Sequence, residues 1–257
     1  HLAWRHVAPV FAQRFTVVVP DLRGYGESTM PADDAGHTVY AKSAMAADMV
    51  AAMASLGHGR FHLAGHDRGA RVAYRLALEH AQVVERLAVL EIVPTLMQWR
   101  AFDAAVALGT YHWTFLAQPA PMPERLIAGD PAGYLELTLK SWTACGTLAP
   151  FEDGTLEAYR AAFAPRVPAF CADYRAGATT DCAADEADLA AGRRIAAPSL
   201  LLAGRQSFPA SASGGDPARL WQDFAPQMRA ETVPGGHFLM EEAPEPVTAA
   251  LLHHFGG

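Results

Sequence analysis

Leu63-Ala-Gly-His-Asp-Arg-Gly-Ala-Arg71 carries the strongest structural signal in the chain. It follows a short apolar run, residues 60–64, that is typical of a buried strand, and it precedes residues 72–79, whose pattern is helical. A strand, a Gly-x-X-x-Gly turn and a helix form the layout of a nucleophile elbow. The glycines permit a sharp turn, and the central residue is held at the N-terminus of the helix, where free N–H groups face negative charge.

The central residue of this turn is Asp67, where serine or cysteine would indicate acyl transfer. A carboxylate attacks a carbon that carries a leaving group and forms an ester. This chemistry suits displacement of a halide or opening of an epoxide, and it suits proteolysis poorly. An aspartate that merely caps the helix is the structural alternative. The flanking glycines, between a strand and a helix, favour the nucleophile.

The bulk properties indicate a globular protein. Its 257 residues allow one catalytic domain with an insertion, and 51% of them are hydrophobic. The net charge is −7 and there is no basic stripe, so nucleic acid is not an expected partner. Since no apolar run reaches membrane-spanning length and the N-terminus has no signal-peptide pattern, we expect a cytoplasmic protein without a membrane partner.

Neither a metal nor a cofactor is expected. The three cysteines, Cys145, Cys171 and Cys182, lack CxxC spacing and are predicted to be reduced packing residues. The acidic stretch from Asp181 to Asp188 is predicted to be the solvated face of a helix. Arg75 is expected at the surface.

Strands and helices alternate along much of the chain, which predicts an α/β fold with a mainly parallel sheet. A helix is predicted from about Tyr40 to Leu56, ending at Gly57. Besides the elbow strand, the predicted strands are residues 15–19, 87–93, 198–204 and 230–233.

Residues 95–195 break this alternation and are predicted to form an inserted helical cap. The core is then discontinuous, comprising residues 1–94 and 196–257. Pockets commonly form where such an insertion meets the carboxyl ends of the strands. Residues 207–215, rich in small side chains, are predicted to be a surface loop.

Three motifs together resemble one family. His66-Asp-Arg-Gly-Ala-Arg71, Tyr111-His-Trp113 and Gly235-Gly-His-Phe238 are similar to segments of the haloacetate dehalogenases, which include fluoroacetate dehalogenases and belong to the α/β-hydrolase superfamily. The similarity covers nearly the whole chain. It implies an α/β-hydrolase fold and hydrolysis of a small haloacid to glycolate and halide through an aspartyl ester. Homodimers are common in that family.

The beginning of the chain departs from the family pattern. Residues 1–8 read as the middle of a helix that, in the resembling family, follows a His-Gly loop supplying one N–H of an oxyanion hole. Three strands precede that loop. We expect these N-terminal strands to be missing here, including the one that would lie between the segments at residues 15–19 and 61–64.

The resemblance and the chemistry together point to a catalytic triad. His237 follows the last predicted strand, and a neutral imidazole can deprotonate water near pH 7. A solvent-exposed loop histidine is the alternative. The acid that orients the histidine follows the strand before the cap in the dehalogenases, as an aspartate. This chain has Glu91 there, with a structural glutamate paired to an arginine as the alternative.

The remaining site residues are assigned by resemblance. Arg68 and Arg71 would bind the substrate carboxylate, which guanidinium groups match in geometry, whereas surface arginines are the alternative. His112, Trp113 and Tyr174 would donate hydrogen bonds to the halide, and packing within the cap is the alternative. Trp142 would form part of the pocket wall.

Two other functions stay open. An epoxide hydrolase shares the Asp–His chemistry and needs two cap tyrosines, but it does not need a carboxylate clamp. An inactive, hydrolase-like binding protein is disfavoured by the complete triad and favoured by the absent oxyanion loop. The sequence leaves open whether fluoride is cleaved as well as chloride or bromide. The candidate cap tyrosines are Tyr111, Tyr134, Tyr159 and Tyr174.

Overall fold

The computed structural model describes residues 1–151, 154–209 and 216–256. Within these residues, four strands form one sheet in the order β1-β2-β3-β4. Every neighbouring pair is parallel, so the predicted parallel sheet is confirmed. The strands are β1 (Phe61–His66), β2 (Val84–Leu90), β3 (Ser199–Gly204) and β4 (Arg229–Val233).

Helices surround this sheet, and the helix predicted at about residues 40–56 is confirmed as α2. Short 3-10 helices lie at Leu2–Trp4, Ala81–Val83, Ala149–Phe151, Ala164–Arg166 and Pro217–Trp221. The α-helices described are α1 (Ala8–Phe11), α2 (Lys42–Ser55), α3 (Arg68–Glu79), α4 (Thr95–Arg100), α5 (Ala104–Gly109), α6 (Tyr111–Leu116), α7 (Met122–Ile127), α8 (Pro131–Trp142), α9 (Thr155–Phe163), α10 (Val167–Ala178), α11 (Thr180–Ala190), α12 (Leu239–Glu242) and α13 (Pro244–Gly256).

The centre of the sheet, formed by β3 and the second half of β2, is buried on both faces. Alternate residues of β2 point to opposite sides: Leu87 and Val89 pack with α2 and α3, whereas Ala88 and Leu90 pack with α1 and α13. This arrangement explains why β3 and the second half of β2 are almost continuously apolar.

The prediction of a strand at residues 15–19 is wrong. This segment is irregular and pairs with no strand within the described residues, and Val17 and Val18 are each 36% exposed. A largely apolar cavity of about 550 Å³ is lined by this segment and by the nearby residues of β1. Branched side chains favour extended backbone, but a strand also needs a hydrogen-bonding neighbour.

Residues 1–8 differ from the continuous helix predicted there. A 3-10 turn at Leu2–Trp4 is followed by a turn, and α1 begins only at Ala8. Part of the predicted loop at residues 207–215, namely 210–215, lies outside the described residues. Cys171 is buried, as predicted for a packing residue, whereas Cys145 is exposed, so the prediction is wrong for Cys145.

Between β2 and β3 the described residues form helices only, α4 to α11. These helices have an apolar core of their own, which includes Trp113, Phe163, Cys171 and Tyr174. The exact boundaries of the cap, at residues 95 and 195, stay a prediction. Because Trp113 and Tyr174 belong to this core, their positions are set by the packing of the helical region.

The prediction of a solvated acidic face on α11 is wrong. Asp181, Asp185 and Asp188 are 3%, 0% and 1% exposed. Arg75, expected at the surface, is 2% exposed and forms ion pairs with Asp185 and Asp188. Lys42 lies 3.3 Å from Asp181. The helical region therefore contacts the sheet domain through buried ion pairs whose partners are far apart in sequence.

Candidate active site

The elbow turn is formed at the end of β1. Asp67 has φ 45° and ψ −118°, a strained conformation of the kind found at functional turns. A Cβ atom on Gly65 would lie 2.5 Å from the carbonyl oxygen of Gly69, so the strand and α3 can pack this closely only with glycine there. Gly69 itself faces open space, so the turn does not require it for the same steric reason.

Asp67 does not act as a helix cap. Its side chain makes no capping hydrogen bond to α3. By contrast, Asp103 and Asp130 accept hydrogen bonds from Val106 N and Gly133 N at the starts of α5 and α8. The carboxylate of Asp67 is thus left for other contacts.

The three residues predicted to form the triad are close together. Asp67 N donates to Leu90 O at 3.2 Å, which places the elbow beside the end of β2, where Glu91 follows. His237 follows β4. Its Nε2 lies 3.7 Å from Asp67 Oδ2, and its Nδ1 lies 3.6 Å from Glu91 Oε2. The imidazole therefore bridges the two carboxylates in charge contacts slightly longer than hydrogen bonds.

Glu91 occupies the position at which the dehalogenases carry an aspartate. Its φ is 62°. Oε1 accepts a hydrogen bond from Gly204 N, while the buried Oε2 has no hydrogen-bond partner and faces His237. The alternative of a structural pair with an arginine does not occur among the described residues. The longer side chain is thus accommodated by the turn after β2.

The charges of the triad are strongly coupled. Burial lowers the pKa of His237, but Asp67 and Glu91 outweigh it and raise the pKa to about 10. Burial raises the pKa of Asp67, but His237 more than offsets this and holds it well below its usual range. Burial raises the pKa of Glu91, and His237 reduces that rise. At pH 7 Asp67 is thus an anion, and the two carboxylates favour the protonated form of His237.

Arg68 and Arg71 are both buried at the start of α3, with unpartnered N–H groups. Arg68 binds Asp173 through Nε and Nη2, at 2.8 and 2.7 Å, and its Nη1 has no partner. Arg71 Nη1 donates to Val93 O at 3.0 Å and to Thr95 Oγ1 at 3.1 Å, and its Nε has no partner.

No carboxylate forms an ion pair with Arg71 among the described residues. Burial and the charge of Arg68 lower the pKa of Arg71, although the group stays a cation at neutral pH. Buried polar groups without partners are rare in proteins and require an explanation. A bound anion is one kind of partner that satisfies a buried cationic donor.

The residues predicted to bind halide lie against these arginines. The ring centroids of His112 and Trp113 are 5.6 and 5.7 Å from that of Tyr174. The guanidinium carbon of Arg68 is 4.2 Å from the centre of the Tyr174 ring, and that of Arg71 is 4.4 Å from the Trp113 ring. Two helices of the cap, α6 and α10, therefore place three potential donors beside the two cations.

The two titratable donors, His112 and Tyr174, are neutral at pH 7. Burial lowers the pKa of His112 to about 3, so its imidazole carries one N–H, and its buried Nδ1 has no partner. Burial raises the pKa of Tyr174, which therefore keeps its hydroxyl proton. Each can donate one hydrogen bond.

Trp142 connects the cap with the triad. Its ring centroid is 4.3 Å from that of His112 and 5.4 Å from that of His237. Its carbonyl oxygen accepts a hydrogen bond from His237 N at 2.9 Å. Trp142 thus lies between His112 and His237, and its role as part of a pocket wall stays a prediction.

Sequence reasoning missed the residues that hold the arginines. Asp173 and Lys42 are 0% and 1% exposed, and Thr95 is buried beneath Arg71. A lysine at the start of a largely apolar helix and an aspartate directly before Tyr174 are weak signals. Neither reveals its partner, because the partner lies on another element.

The described residues contain no group of three or more His, Cys, Asp or Glu side chains that could hold a metal ion. Among the described helices, none has both the length and the apolar character needed to cross a membrane.

Comparison with known proteins places the chain in a family. The family model described as alpha/beta hydrolase fold matches residues 1–244. The chain belongs to the α/β-hydrolase family. Fluoroacetate dehalogenase from Burkholderia sp is 41% identical over 256 residues, which cover 98% of this chain and 82% of that protein. The fold class and the resemblance inferred from the motifs are thereby confirmed.

Relatives with other names are also similar. Soluble epoxide hydrolase from Corynebacterium sp. (strain C12) is 30% identical, covering 98% of this chain and 85% of that protein. A solved structure from Pseudomonas aeruginosa, whose name suggests an epoxide hydrolase, is 42% identical with a TM-score of 0.91, covering all of this chain and 84% of that one. The relatives are therefore named both for hydrolysis of carbon–halogen bonds and for hydrolysis of epoxides.

Proposed function

We propose that this α/β hydrolase releases halide from haloacetates and forms glycolate through an ester on Asp67. The observation that carries the proposal is the pair of buried, unpartnered donors, Arg68 Nη1 and Arg71 Nε, in the first turn of the helix that begins at the elbow. A small carboxylate fits these donors, and its neighbouring carbon would then face Asp67. The resemblance to fluoroacetate dehalogenase supports the same substrate class.

In the first step a carboxylate oxygen of Asp67 attacks the α-carbon of the haloacetate. The carbon–halogen bond breaks and its electron pair leaves with the halide. Asp67 is ionised at neutral pH, so the nucleophile needs no base. His112, Trp113 and Tyr174 would donate hydrogen bonds to the departing halide.

In the second step water attacks the carbonyl carbon of the Asp67 ester. His237 takes a proton from that water, and the bond to the glycolate oxygen breaks as that oxygen is protonated. Esterification removes the negative charge of Asp67, which is one of the two charges that raise the pKa of His237. The nucleophile thus holds the imidazole protonated until the ester forms, and esterification favours the neutral base.

Glu91→Gln is expected to move the pH dependence of ester hydrolysis. Glu91 raises the pKa of His237, so its neutralisation should lower the midpoint of the rising limb by about one or two pH units. The plateau should fall at least about tenfold, because the imidazolium formed in the transition state loses its partner. Rapid-quench measurement of ester decay against pH checks this. An unchanged midpoint would remove Glu91 from the triad.

Trp113→Phe is expected to affect the haloacetates unequally. Fluoride leaves carbon poorly and gains most from a hydrogen bond, worth roughly 1.5–3 kcal/mol to a charged group. Loss of the indole N–H should thus slow fluoroacetate turnover about tenfold to a hundredfold, and bromoacetate turnover much less. The phenyl ring keeps a face for Arg71. Halide-release rates on both substrates provide the measurement.

Trp99→Phe is the matched control for this change. Trp99 lies in the same aromatic cluster, 5.6 Å from Trp113, but its indole N–H already donates to Gly177 O at 3.0 Å. The control should lower stability without changing the ratio of fluoroacetate to bromoacetate rates. Equal slowing of both substrates by Trp113→Phe would mean that Trp113 only packs the cap.

Epoxide hydrolysis is the second candidate because epoxide hydrolases are among the relatives. Such an enzyme needs two cap tyrosines near the nucleophile. Tyr174 lies at the site, whereas Tyr159 donates to Glu241, and Tyr111 is 42% exposed and packs against Phe115. Tyr134 packs against Phe115 and Phe163 in the core of the cap. The two buried guanidinium groups of Arg68 and Arg71 favour an anionic substrate.

A direct assay separates the two candidates. Fluoro-, chloro- and bromoacetate and a neutral epoxide such as styrene oxide would be supplied at equal concentration, and halide and diol would be measured. We expect halide and glycolate from the haloacetates and no diol. Diol without halide would overturn the proposal and support the epoxide hydrolase. Formation of neither halide nor diol would indicate an inactive binding protein.

A further inference from the structure

Asp173 lies at the centre of a buried charge cluster beside the site. It belongs to α10, directly before Tyr174, and is 0% exposed. Its carboxylate accepts hydrogen bonds from Tyr25 Oη and Lys42 Nζ, and from Arg68 Nε at 2.8 Å and Nη2 at 2.7 Å. All of these hydrogen bonds come from residues outside the cap. The carboxylate of Asp173 therefore joins the cap to three separate segments of the core, at Tyr25, Lys42 and Arg68.

This contact determines which part of Arg68 remains free. The bidentate pair with Asp173 uses Nε and Nη2 and leaves Nη1 as the only unpartnered nitrogen. The guanidinium plane also packs over the Tyr174 ring at 4.2 Å and lies 5.6 Å from the Trp113 ring. The Arg68 guanidinium is held along one edge by Asp173 and is stacked on the Tyr174 ring. These contacts fix its orientation, as a preorganised binding group requires.

Asp173 is shared between two cations. It pairs with Arg68 and with Lys42, and Lys42 Nζ also lies 3.3 Å from Asp181 Oδ2. The two cations and two carboxylates balance one another. Arg68 can therefore point a charged N–H group at a ligand while its own charge stays compensated within the protein.

We propose that Asp173 is a positioning residue for substrate binding: together with Lys42 and Tyr25 it fixes Arg68 so that Nη1 alone is presented to the substrate carboxylate. This inference rests on the proposed haloacetate hydrolysis. A role as a simple anchor of the cap is the structural alternative. Asp188 is such an anchor, since it pairs with Arg75 and Arg193 and has no contact with Arg68.

The test is a double-mutant cycle on chloroacetate turnover. Asp173→Asn should lower kcat/KM at least about tenfold in the parent background. It should have almost no further effect in an Arg68→Met background, because the fork that it positions is absent there. Asp188→Asn is the matched control, which should lower the melting temperature but not kcat/KM. An equal effect of Asp173→Asn in both backgrounds would overturn the positioning role.

Tyr25→Phe keeps the proposal testable if Asp173→Asn fails to fold. It removes one hydrogen bond to Asp173 and keeps the ring, which packs against Phe170 at 4.5 Å. We expect a loss of about threefold in kcat/KM that disappears in the Arg68→Met background. A loss that persists there would contradict the inference.

The same measurements separate the two levels of the argument. A parent protein without activity on any haloacetate would defeat the proposed function itself. An active parent in which Asp173 and Arg68 act independently would defeat only the positioning role of Asp173. Inhibition by acetate, which has the carboxylate but no leaving group, gives a second readout, and its inhibition constant should rise in Asp173→Asn and stay unchanged in Asp188→Asn.

Discussion

Replacement of Asp67 with asparagine should abolish halide release, with a loss of at least about a thousandfold in turnover. The amide has nearly the same shape, and asparagine tolerates positive φ better than most residues, so the turn at φ 45° should persist. What is lost is the charged oxygen that attacks carbon. Halide release from chloroacetate, with the melting temperature measured alongside, provides the check.

Asp130→Asn is the control for this experiment. Asp130 caps α8 by accepting a hydrogen bond from Gly133 N, and asparagine caps a helix nearly as well. The control should therefore keep full activity. If Asp67→Asn also kept activity within about tenfold of the parent, a nucleophilic role of this kind would be untenable.

The second large effect is expected from Arg71→Met. Arg71 is a buried cation without a carboxylate partner among the described residues, and its Nε has no hydrogen-bond partner. If it binds the substrate carboxylate, its removal should cost about 2–5 kcal/mol of transition-state binding, or roughly thirtyfold to several-thousandfold in kcat/KM. Methionine fills similar space, so the variant should fold.

Chloroacetamide is the internal control for Arg71. The amide has the same leaving group but no anion, so the parent should turn it over far more slowly than chloroacetate. Arg71→Met should erase that preference by lowering the acid rate while leaving the amide rate nearly unchanged. Equal parent rates on acid and amide would remove the carboxylate clamp from the mechanism.

The parts of the fold that sequence predicted are those with local signals. The elbow around Asp67 is marked by glycines between a strand and a helix, and four strands were marked by apolar runs. Because parallel strands end at one edge of the sheet, Asp67 and Glu91 could be expected side by side. The loop after β4 then brings His237 to the same place, within 3.7 Å of Asp67.

The parts that sequence did not predict depend on distant partners. Residues 15–19 have strand-forming side chains, but no neighbouring strand pairs with them among the described residues. The acidic run on α11 resembles a solvated face, and only the tertiary structure shows Asp185 and Asp188 meeting the buried Arg75. Composition and periodicity do not encode such contacts.

The proposed carboxylate clamp shows the same limit. Adjacency to Asp67 led to the prediction that Arg68 and Arg71 bind the substrate, and both are buried at the start of α3. The sequence did not show that Asp173 occupies one edge of the Arg68 fork, since the two are separated by 105 residues. Nor does the sequence give the direction in which the pKa of His237 is shifted, because the rise depends on two carboxylates from different strand ends.

Intact-mass measurement of a His237→Gln variant can reveal the covalent intermediate directly. Without the imidazole, the first step should proceed and the second should stall. Brief incubation with chloroacetate should then add about 58 Da, the mass of one carboxymethyl group in place of a proton. The exposed thiol of Cys145 would give the same mass by alkylation, so the experiment requires a Cys145→Ser background.

Two features identify the adduct as the ester. Hydroxylamine cleaves an ester but not a thioether, and peptide mapping should place the added mass on Asp67. We expect about one adduct per chain in His237→Gln, its removal by hydroxylamine, and no adduct when Asp67→Asn is added. Halide release by His237→Gln that continues through many turnovers without any adduct on Asp67 would contradict the two-step mechanism.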